Sequence, residues 1–529
     1  MPEPDSVGRA PGGKRPRLDA RVVTRWLGGG LRGQVRPAHA KSDSARSAIA
    51  PVPIPARLFL PLKQHAGAPA SPQVAIGERV RAGQCLAKAA GRISAAVHAP
   101  VAGVVTGIVE VPAPHPSGLT TPMIVLDVLP ELIGRPSIHD SGIDACVVDS
   151  LGRGEEELNL TPSEIAERVE QAGIVGMGGA SFPTVVKLQG AQSHAIETVI
   201  LNGSECEPYL SCDDRLMREQ APAILEGAAI LARAVGARTV CVYIEANKPE
   251  AIAAMRAAAG LLAGEHRARG LTVRLETVPS RYPMGWERGL VTRLTGFEIP
   301  AGARANGLGV VVHNVATAFA IGRAVIHGLP LTARVVTVAG DCVRRPGNYW
   351  VPLGMPVSAV LAAAGGLREP PVQVLSGGPM MGLALASLDA PVVKGMNGVL
   401  ALSAQEVRHT ARPVEQCLRC GRCVDACPVG LVPSELFARI RSHDWQGAAE
   451  RGLEDCLGCG ACAYACPANR PLTQAFQHAR GELAVRRRLE QRQDMARARS
   501  QARAQRLASR KRGRRAAPAR AQTAGEGDR

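Results

Sequence analysis

The chain has 529 residues, with 57 glycines, 40 prolines, 14 cysteines and only 3% aromatic residues. That length holds three or four domains with ample core, and no apolar run reaches the ~18–20 residues of a membrane-spanning helix. The net charge of +17 sits at the two ends: residues 1–41 carry +6, residues 480–520 carry +12 and residues 521–529 carry −1, which leaves 42–479 electroneutral. A folded nucleic-acid-binding face is therefore not expected. The basic ends suit an acidic protein, anionic lipid heads or a solvated tail equally well.

Residues 1–41 read as a disordered basic N-terminus that ends in a Gly-rich loop, Trp26–Lys41. No signal-peptide apolar region is visible, so the cytoplasm or the cytoplasmic face of the inner membrane is expected. Residues 42–130 are a β region, with short apolar runs at Val80–Leu86 and Val101–Val109 between Gly and Pro. The pieces V-A-I-G-E-R-V-R-A-G-Q-C-L-A and V-H-A-P-V-A-G-V-V-T-G-I resemble the two halves of a lipoyl-type β-sandwich. Carrier domains of that type bear their prosthetic group on a lysine at the hairpin tip. Here Lys88 stands beside the start of the connection and Gly91-Arg92 hold the tip, which favours a structural or docking module over a carrier.

Residues 131–330 read as α/β. Thr161-Pro162-Ser163-Glu164 is a helix start, with Thr at the N-cap, Pro at N1 and Glu at N3. Strands are expected near Thr198–Leu201, Thr239–Ile244 and Thr272–Thr277, alternating with alanine-rich helices at Ala221–Val235 and Pro249–Ala263. Gly176, Gly178 and Gly179, with Lys187 further on, would let backbone N–H groups approach a phosphate. The spacing is neither a G-x-G-x-x-G nor a Walker loop, and by itself leaves a plain Gly-rich turn equally open. Residues 331–395 read strand, turn, strand, helix.

The cluster region, residues 396–475, holds eight of the 14 cysteines between Cys417 and Pro467: C-L-R-C-G-R-C-V-D-A-C-P, then C-L-G-C-G-A-C-A-Y-A-C-P. Three thiolates at i, i+3 and i+6 wrap three corners of a cubane, and the cysteine before the proline ligates the other cluster. The expected sets are Cys417, Cys420, Cys423 and Cys466 for one [4Fe–4S] cluster, and Cys456, Cys459, Cys462 and Cys427 for the second. Two structural zinc sites are the alternative, but zinc pairs do not carry the third cysteine and C-P. Helices are expected at Pro433–Ser442 and Asp444–Arg451 between the motifs. Cys85, Cys146, Cys241 and Cys342 read as small buried residues, and no function is expected of Cys206 or Cys212. Residues 476–529 read as a basic helix, Gln474–Arg512, followed by a disordered tail.

Four motifs in order resemble the NADH-binding flavoprotein subunit of respiratory complex I. They are G-M-G-G-A-S-F-P-T-V-V-K (176–187), N-G-S-E-C-E-P (202–208), Y-P-M-G-W-E (282–287) and V-H-N-V-A-T (312–317). Over about residues 26–490, including S-G-G-P-M-M-G (376–382) and the paired cysteine motifs, the chain resembles the RnfC family of the Rnf ion-translocating electron-transport complex. The resemblance implies a multidomain fold: lipoyl-like β-sandwich, Rossmann-like α/β flavin/NADH domain, β-grasp (SLBB-like) module and helical two-cluster ferredoxin domain. It also implies FMN, with NADH as substrate. Gly176, Gly178, Gly179 and Lys187 would meet the flavin phosphate, and Asn202 and Glu205 would lie near the ring, with Glu207 in the same loop. Tyr282, Gly285 and Glu287 would line the dinucleotide side, and Asn314 and Thr317 would close the phosphate end.

Met177, Ser181, Ser204, Trp286 and His313 depart from the complex I pattern. A plain reading of single residues also stands: Tyr282 or Phe182 as core, Glu207 or Lys187 as surface ion pairs. NADH gives up two electrons and a cluster accepts one, a mismatch that a flavin bridges. The resemblance thus implies a peripheral electron-input subunit of a membrane-bound, ion-translocating NADH/ferredoxin oxidoreductase, without a catalytic acid or base of its own. Its expected partners are NAD(H), a ferredoxin-like subunit and integral membrane subunits, with no nucleic acid. The other readings are a diaphorase subunit of a soluble flavin–iron–sulfur oxidoreductase, or a ferredoxin-type relay that has lost its flavin.

Overall fold

A computed structural model describes residues 33–114, 120–137, 160–300, 302–409 and 412–516. The expectations for residues 1–32, for Cys146 and for the chain beyond 516 lie outside the described residues. Two compact units emerge: residues 1–430 with 459–470, and residues 431–458 with 471–529.

The first unit begins with the expected sandwich. One antiparallel sheet runs Arg57–Pro61, Thr120–Val128, Gly103–Pro112, Arg79–Val80; the other runs Ser71–Pro72, Cys85–Lys88, Val97–His98. Leu58, Leu60, Ile124 and Leu126 alternate along their strands and are fully buried. The expected run Val80–Leu86 is two strands with a turn between them. The hairpin tip folds back on its own module. Ala68 N donates to Ile93 O at 2.9 Å, and Ala95 N donates to His65 Nε2 at 3.2 Å. Lys88 is exposed beside this tip.

The α/β part holds a four-stranded parallel sheet in the order Thr272–Val278, Thr239–Glu245, Thr198–Gly203, Val310–Asn314. Its fourth strand was not expected from the sequence. The Thr161–Glu164 capping box is present, with Thr161 N donating to Glu164 Oε2 at 2.6 Å and Glu164 N to Thr161 Oγ1 at 3.3 Å. Helices Ala221–Val235 and Val315–His327 pack so closely that a Cβ on Gly227 would collide with Ala318 O. Register aligns Asn202 with Asn314 on one side and Tyr243 on the other. Both asparagines therefore sit at the C-terminal edge of the sheet, where open α/β sheets bind ligands.

The β-grasp part is a six-stranded mixed sheet: Ala50–Pro51, Gly347–Pro352, Ala333–Ala339, Gly398–Leu402, Gln373–Ser376, Leu383–Ala384. Its first strand comes from the stretch assigned by sequence to the sandwich. The buried Lys394 ties the three parts together. Its ammonium donates to Ala96 O of the sandwich and Gly173 O of the α/β part, each at 2.6 Å. Burial lowers the pKa of this lysine to about 7.

In the second unit, helices Pro433–Arg441 and Trp445–Glu450 pack on the first turns of Leu472–Ala516. Phe476, Ala479 and Leu483 are buried there. Trp445 stands edge-on to His478, with ring centroids 5.8 Å apart, and Arg487 pairs with Glu454. From Ala484 to Ser509 the long helix is exposed on all sides. It continues past Gly513 to Ala516, four residues beyond the expected end.

Candidate functional site

The Gly-rich loop leads from helix Pro162–Gln171 into helix Thr184–Gln192. Gly176 N donates to Phe182 O at 2.8 Å, and Met177 N donates to Thr317 Oγ1 at 2.9 Å. Thr317 is buried and so pins the loop to the start of helix Val315–His327. Met177 is itself buried in the main apolar core, which explains a thioether where the complex I pattern has a charge. Around Gly178, a Cβ would meet Asn314 at 3.4 Å; beside Gly179, with φ of +105°, it would meet nothing within 4 Å. Ser181 is held at a φ of +49° and its carbonyl accepts from Ala66 N of the sandwich at 3.0 Å. Lys187 donates to Glu287 Oε2 at 3.1 Å and to Val312 O.

The strand Thr198–Gly203 delivers the second loop. Asn202 Nδ2 donates to Gly285 O at 2.8 Å, and its Oδ1 accepts from Ser204 N at 3.1 Å. Glu205, at a φ of +48°, accepts from Asp213 N at 2.7 Å and Asp214 N at 3.2 Å, and so caps helix Cys212–Glu219. Asn314 Nδ2 donates to Asp213 Oδ2 at 2.6 Å. Burial, then the charge of Glu205, pushes the Asp213 carboxyl up to about 7. Two lysines missed in the sequence clasp the loop: Lys41 donates to Glu205 O, and the buried Lys248 donates to Ser204 O at 2.6 Å. Neither stands in a recognisable motif; each acts through a backbone carbonyl, which sequence does not reveal. Non-glycine residues at positive φ cost of order 1–3 kcal/mol each and persist where surroundings over-determine them. Ser181 and Glu205 mark such a place.

Asn202, Glu205, Gly285, Asn314, Gly176, Gly178 and Thr317 are thus brought into one neighbourhood, and Gly179, Lys187 and Glu287 flank it. Tyr282 and Glu207 connect elsewhere. Tyr282 is 1% exposed and its hydroxyl donates to Cys459 O at 2.6 Å. Glu207 accepts from Met380 N at 3.1 Å and Met381 N at 2.7 Å. The cradle fits a polar nucleotide: open space adjoins Gly179, and the buried Ser204 Oγ and His313 Nε2 have no protein partner among the described residues.

Both cysteine motifs share one local geometry. Gly421, at φ +76°, precedes helix Arg422–Asp425, and Gly460, at φ +78°, precedes helix Ala461–Tyr464. The left-handed turn reverses the loop after the second cysteine, and glycine adopts it without strain. The two short helices pack together in the first unit. Cys417 and Cys420 are exposed, Cys423, Cys462 and Cys466 half-buried, and Cys427 and Cys459 buried. The Arg419 amide, and then Arg470, hold the Cys417 thiol below its ordinary value, which favours the thiolate that a cluster requires. Cys456 belongs to the second unit, where its carbonyl accepts from Arg480 at 2.9 Å. Eight cysteines in two C-x2-C-x2-C-x3-C-P runs supply the donors of two cubanes. Of the other cysteines, Cys241 and Cys342 are buried as expected, and Cys85 is half-buried. Cys212 is buried with Glu205 and Asp213, their donor atoms within 4.8 Å of one another. Both of those carboxylates are already engaged in hydrogen bonds.

Family comparisons agree with this layout. Residues 30–128 match the RnfC barrel sandwich hybrid domain, 169–323 the Nuo51 FMN-binding domain, 335–384 the SLBB domain and 416–470 the 4Fe-4S dicluster domain. The chain is 49% identical over 456 residues to the C subunit of the ion-translocating oxidoreductase complex of Rhodobacter capsulatus, covering 86% of this chain and 83% of that one. It is 42% identical to the C subunit of the same complex in Cronobacter sakazakii, covering 90% of this chain and 58% of that one. Among solved structures, an NAD+-reducing [NiFe]-hydrogenase matches with a TM-score of 0.46 at 22% identity, over 62% of this chain and 67% of that one.

Proposed function

The chain belongs to the RnfC family, the C subunits of ion-translocating oxidoreductase complexes, and from that premise we propose how its residues serve an electron-input role. The FMN-binding and 4Fe-4S dicluster domains make it an oxidoreductase component with flavin and cluster sites, and its relatives work beside other subunits. The finer reading is that electrons pass between NADH and two [4Fe–4S] clusters by way of FMN, toward a ferredoxin-like subunit and integral membrane subunits. Among the described residues, no helix is long and apolar enough to cross a membrane. We place the chain on the cytoplasmic face, held by its partners.

When bound, FMN supplies the exchange between two-electron and one-electron chemistry. The chain's own residues position and shield. Gly176, Gly178 and Gly179 offer close backbone approach to the flavin phosphate, and Lys187 offers charge, with Glu287 holding its ammonium meanwhile. Asn314 and Thr317 fix the phosphate end. Asn202 and Glu205 set the shape of the ring-side loop. Gly285 and Glu287 flank the dinucleotide side, and Tyr282 backs it. Cys417, Cys420, Cys423 and Cys466 hold one cluster; Cys456, Cys459, Cys462 and Cys427 hold the other. The observation that carries the reading is the hydrogen bond from Tyr282 to Cys459: the dinucleotide-side loop and the second cysteine motif touch directly.

Anaerobic purification, acid release of flavin and NADH-driven bleaching of the cluster absorbance test this. About one flavin and about eight irons per chain, with bleaching on NADH, are expected. A chain that takes up no FMN and whose clusters NADH does not bleach would be the relay without flavin, for which Met177, Ser181 and Ser204 speak.

A further inference from the structure

The turn Ser376–Gly382 of the β-grasp part lies between two functional loops. On one side, both oxygens of Glu207 accept from its backbone, Oε2 from Met380 N at 3.1 Å and Oε1 from Met381 N at 2.7 Å. The approach is tight: a Cβ on Gly378 would collide with Glu207 Oε2. On the other side, a Cβ on Gly460 would stand 2.7 Å from Met380 O, and Gly460 directly follows Cys459. Gly382 N closes the turn on Gly378 O at 2.8 Å.

We propose that Glu207 is a positioning residue for electron passage between the nucleotide cradle and the second cysteine motif: it clamps the Met380–Met381 amides, and the carbonyl edge of that turn seats the Cys459–Gly460 backbone. The proposal takes its purpose from the function proposed above, but the clamp can be measured without it.

The turn carries no charged side chain. The groups that face Glu207 electrostatically are Lys41, Cys206 and Tyr282. Burial pushes the Glu207 carboxyl up to about 7, against the pull of the two amides and then Lys41. An ionised carboxylate accepts from amides more strongly than its acid form. The clamp therefore tightens above neutral pH and loosens below it, which a purely space-filling contact would not do.

Hydrogen exchange on the full cluster-loaded chain, corrected for intrinsic rates, reads the clamp. Wild-type protection at Met380 and Met381 should rise about tenfold from pH 6 to pH 8, and Glu207→Gln should show no such rise. Gly378→Ala pushes the turn away with the carboxylate intact and should lower protection at both pH values. In both variants the electron paramagnetic resonance signal of one reduced cluster should change, and NADH-driven cluster reduction should slow about tenfold. Equal protection at Met380 and Met381 in wild type and Glu207→Gln at pH 8 overturns the proposal. So do wild-type spectra and reduction rates in both variants. A wild-type chain that NADH does not reduce, but whose exchange shows the clamp, defeats the functional reading and leaves the clamp standing.

Discussion

The hydroxyl of Tyr282 donates to the carbonyl oxygen of Cys459 across 2.6 Å. Tyr282 backbone also pairs with Val35, N to O at 2.9 Å and O from N at 2.8 Å, so its position is fixed at both ends. Tyr282→Phe keeps the ring and leaves a buried carbonyl without its donor. We expect a loss of about 1–3 kcal/mol in stability and slower NADH-driven cluster reduction. Thermal unfolding and stopped-flow absorbance check the two; an unchanged reduction rate would show that the bond only supports the fold.

Lys187 and Glu287 form an ion pair whose side chains are 26% and 45% exposed. A pair this wet contributes little, about 0–1 kcal/mol. Lys187→Met should therefore leave the melting temperature nearly unchanged, yet weaken FMN binding about tenfold if the ammonium turns to the phosphate. Fluorescence titration of the deflavinated chain measures this. Equal FMN affinity in the variant would return Lys187 to an ordinary ion pair.

Lys394 gives a pH signature. Its ordinary pKa of 10.5 falls to about 7 in the folded chain because of burial. Between those values the unfolded chain holds a proton that the folded one lacks, so this group makes stability rise with pH from about 7 to 10.5. Below pH 7 its contribution stays at its least favourable. Lys394→Met removes the slope and leaves Ala96 O and Gly173 O unpaired. The melting temperature of wild type minus that of the variant should widen from pH 7 to pH 9.5. A constant gap would mean that the lysine stays charged.

Cys417→Ser removes one ligand from the proposed set Cys417, Cys420, Cys423 and Cys466. Iron should fall from about eight toward about four per chain, while the second cluster's signal persists. Zinc at stoichiometry in the wild-type chain would refute the cluster assignment, and a Cys466→Ser variant that disturbs the signal of the second motif's cluster and leaves the first intact would refute the pairing of Cys466 with the first motif.

Motifs with local periodicity were legible. The cysteine runs, the Thr161 capping box and the alternating strands of the parallel sheet follow from short-range rules that sequence displays. Long-range partners were not. Lys41, Lys248 and Lys394 act on backbone carbonyls tens to hundreds of residues away, and no side-chain pattern announces a carbonyl. The Ala50–Pro51 strand joins a sheet whose other members begin at residue 333; at two residues it carries no pattern of its own. Among the proposed site residues, Tyr282 and Glu207 share motifs with Gly285 and Asn202, yet their polar atoms reach the cysteine motif and the β-grasp turn. A motif fixes the backbone path of a loop better than the direction of each side chain on it.

Unequal cover of the cysteines has a consequence for survival in air. Cys417 and Cys420 are exposed, whereas Cys427 and Cys459 are buried. Access sets how fast oxidants reach a ligand sulfur. Corrosion should therefore begin at the rim of the first motif and move inward. A weathered preparation would keep the inner ligands longest, and on the proposed ligand sets its remaining cluster would be the one that Cys459 helps to hold.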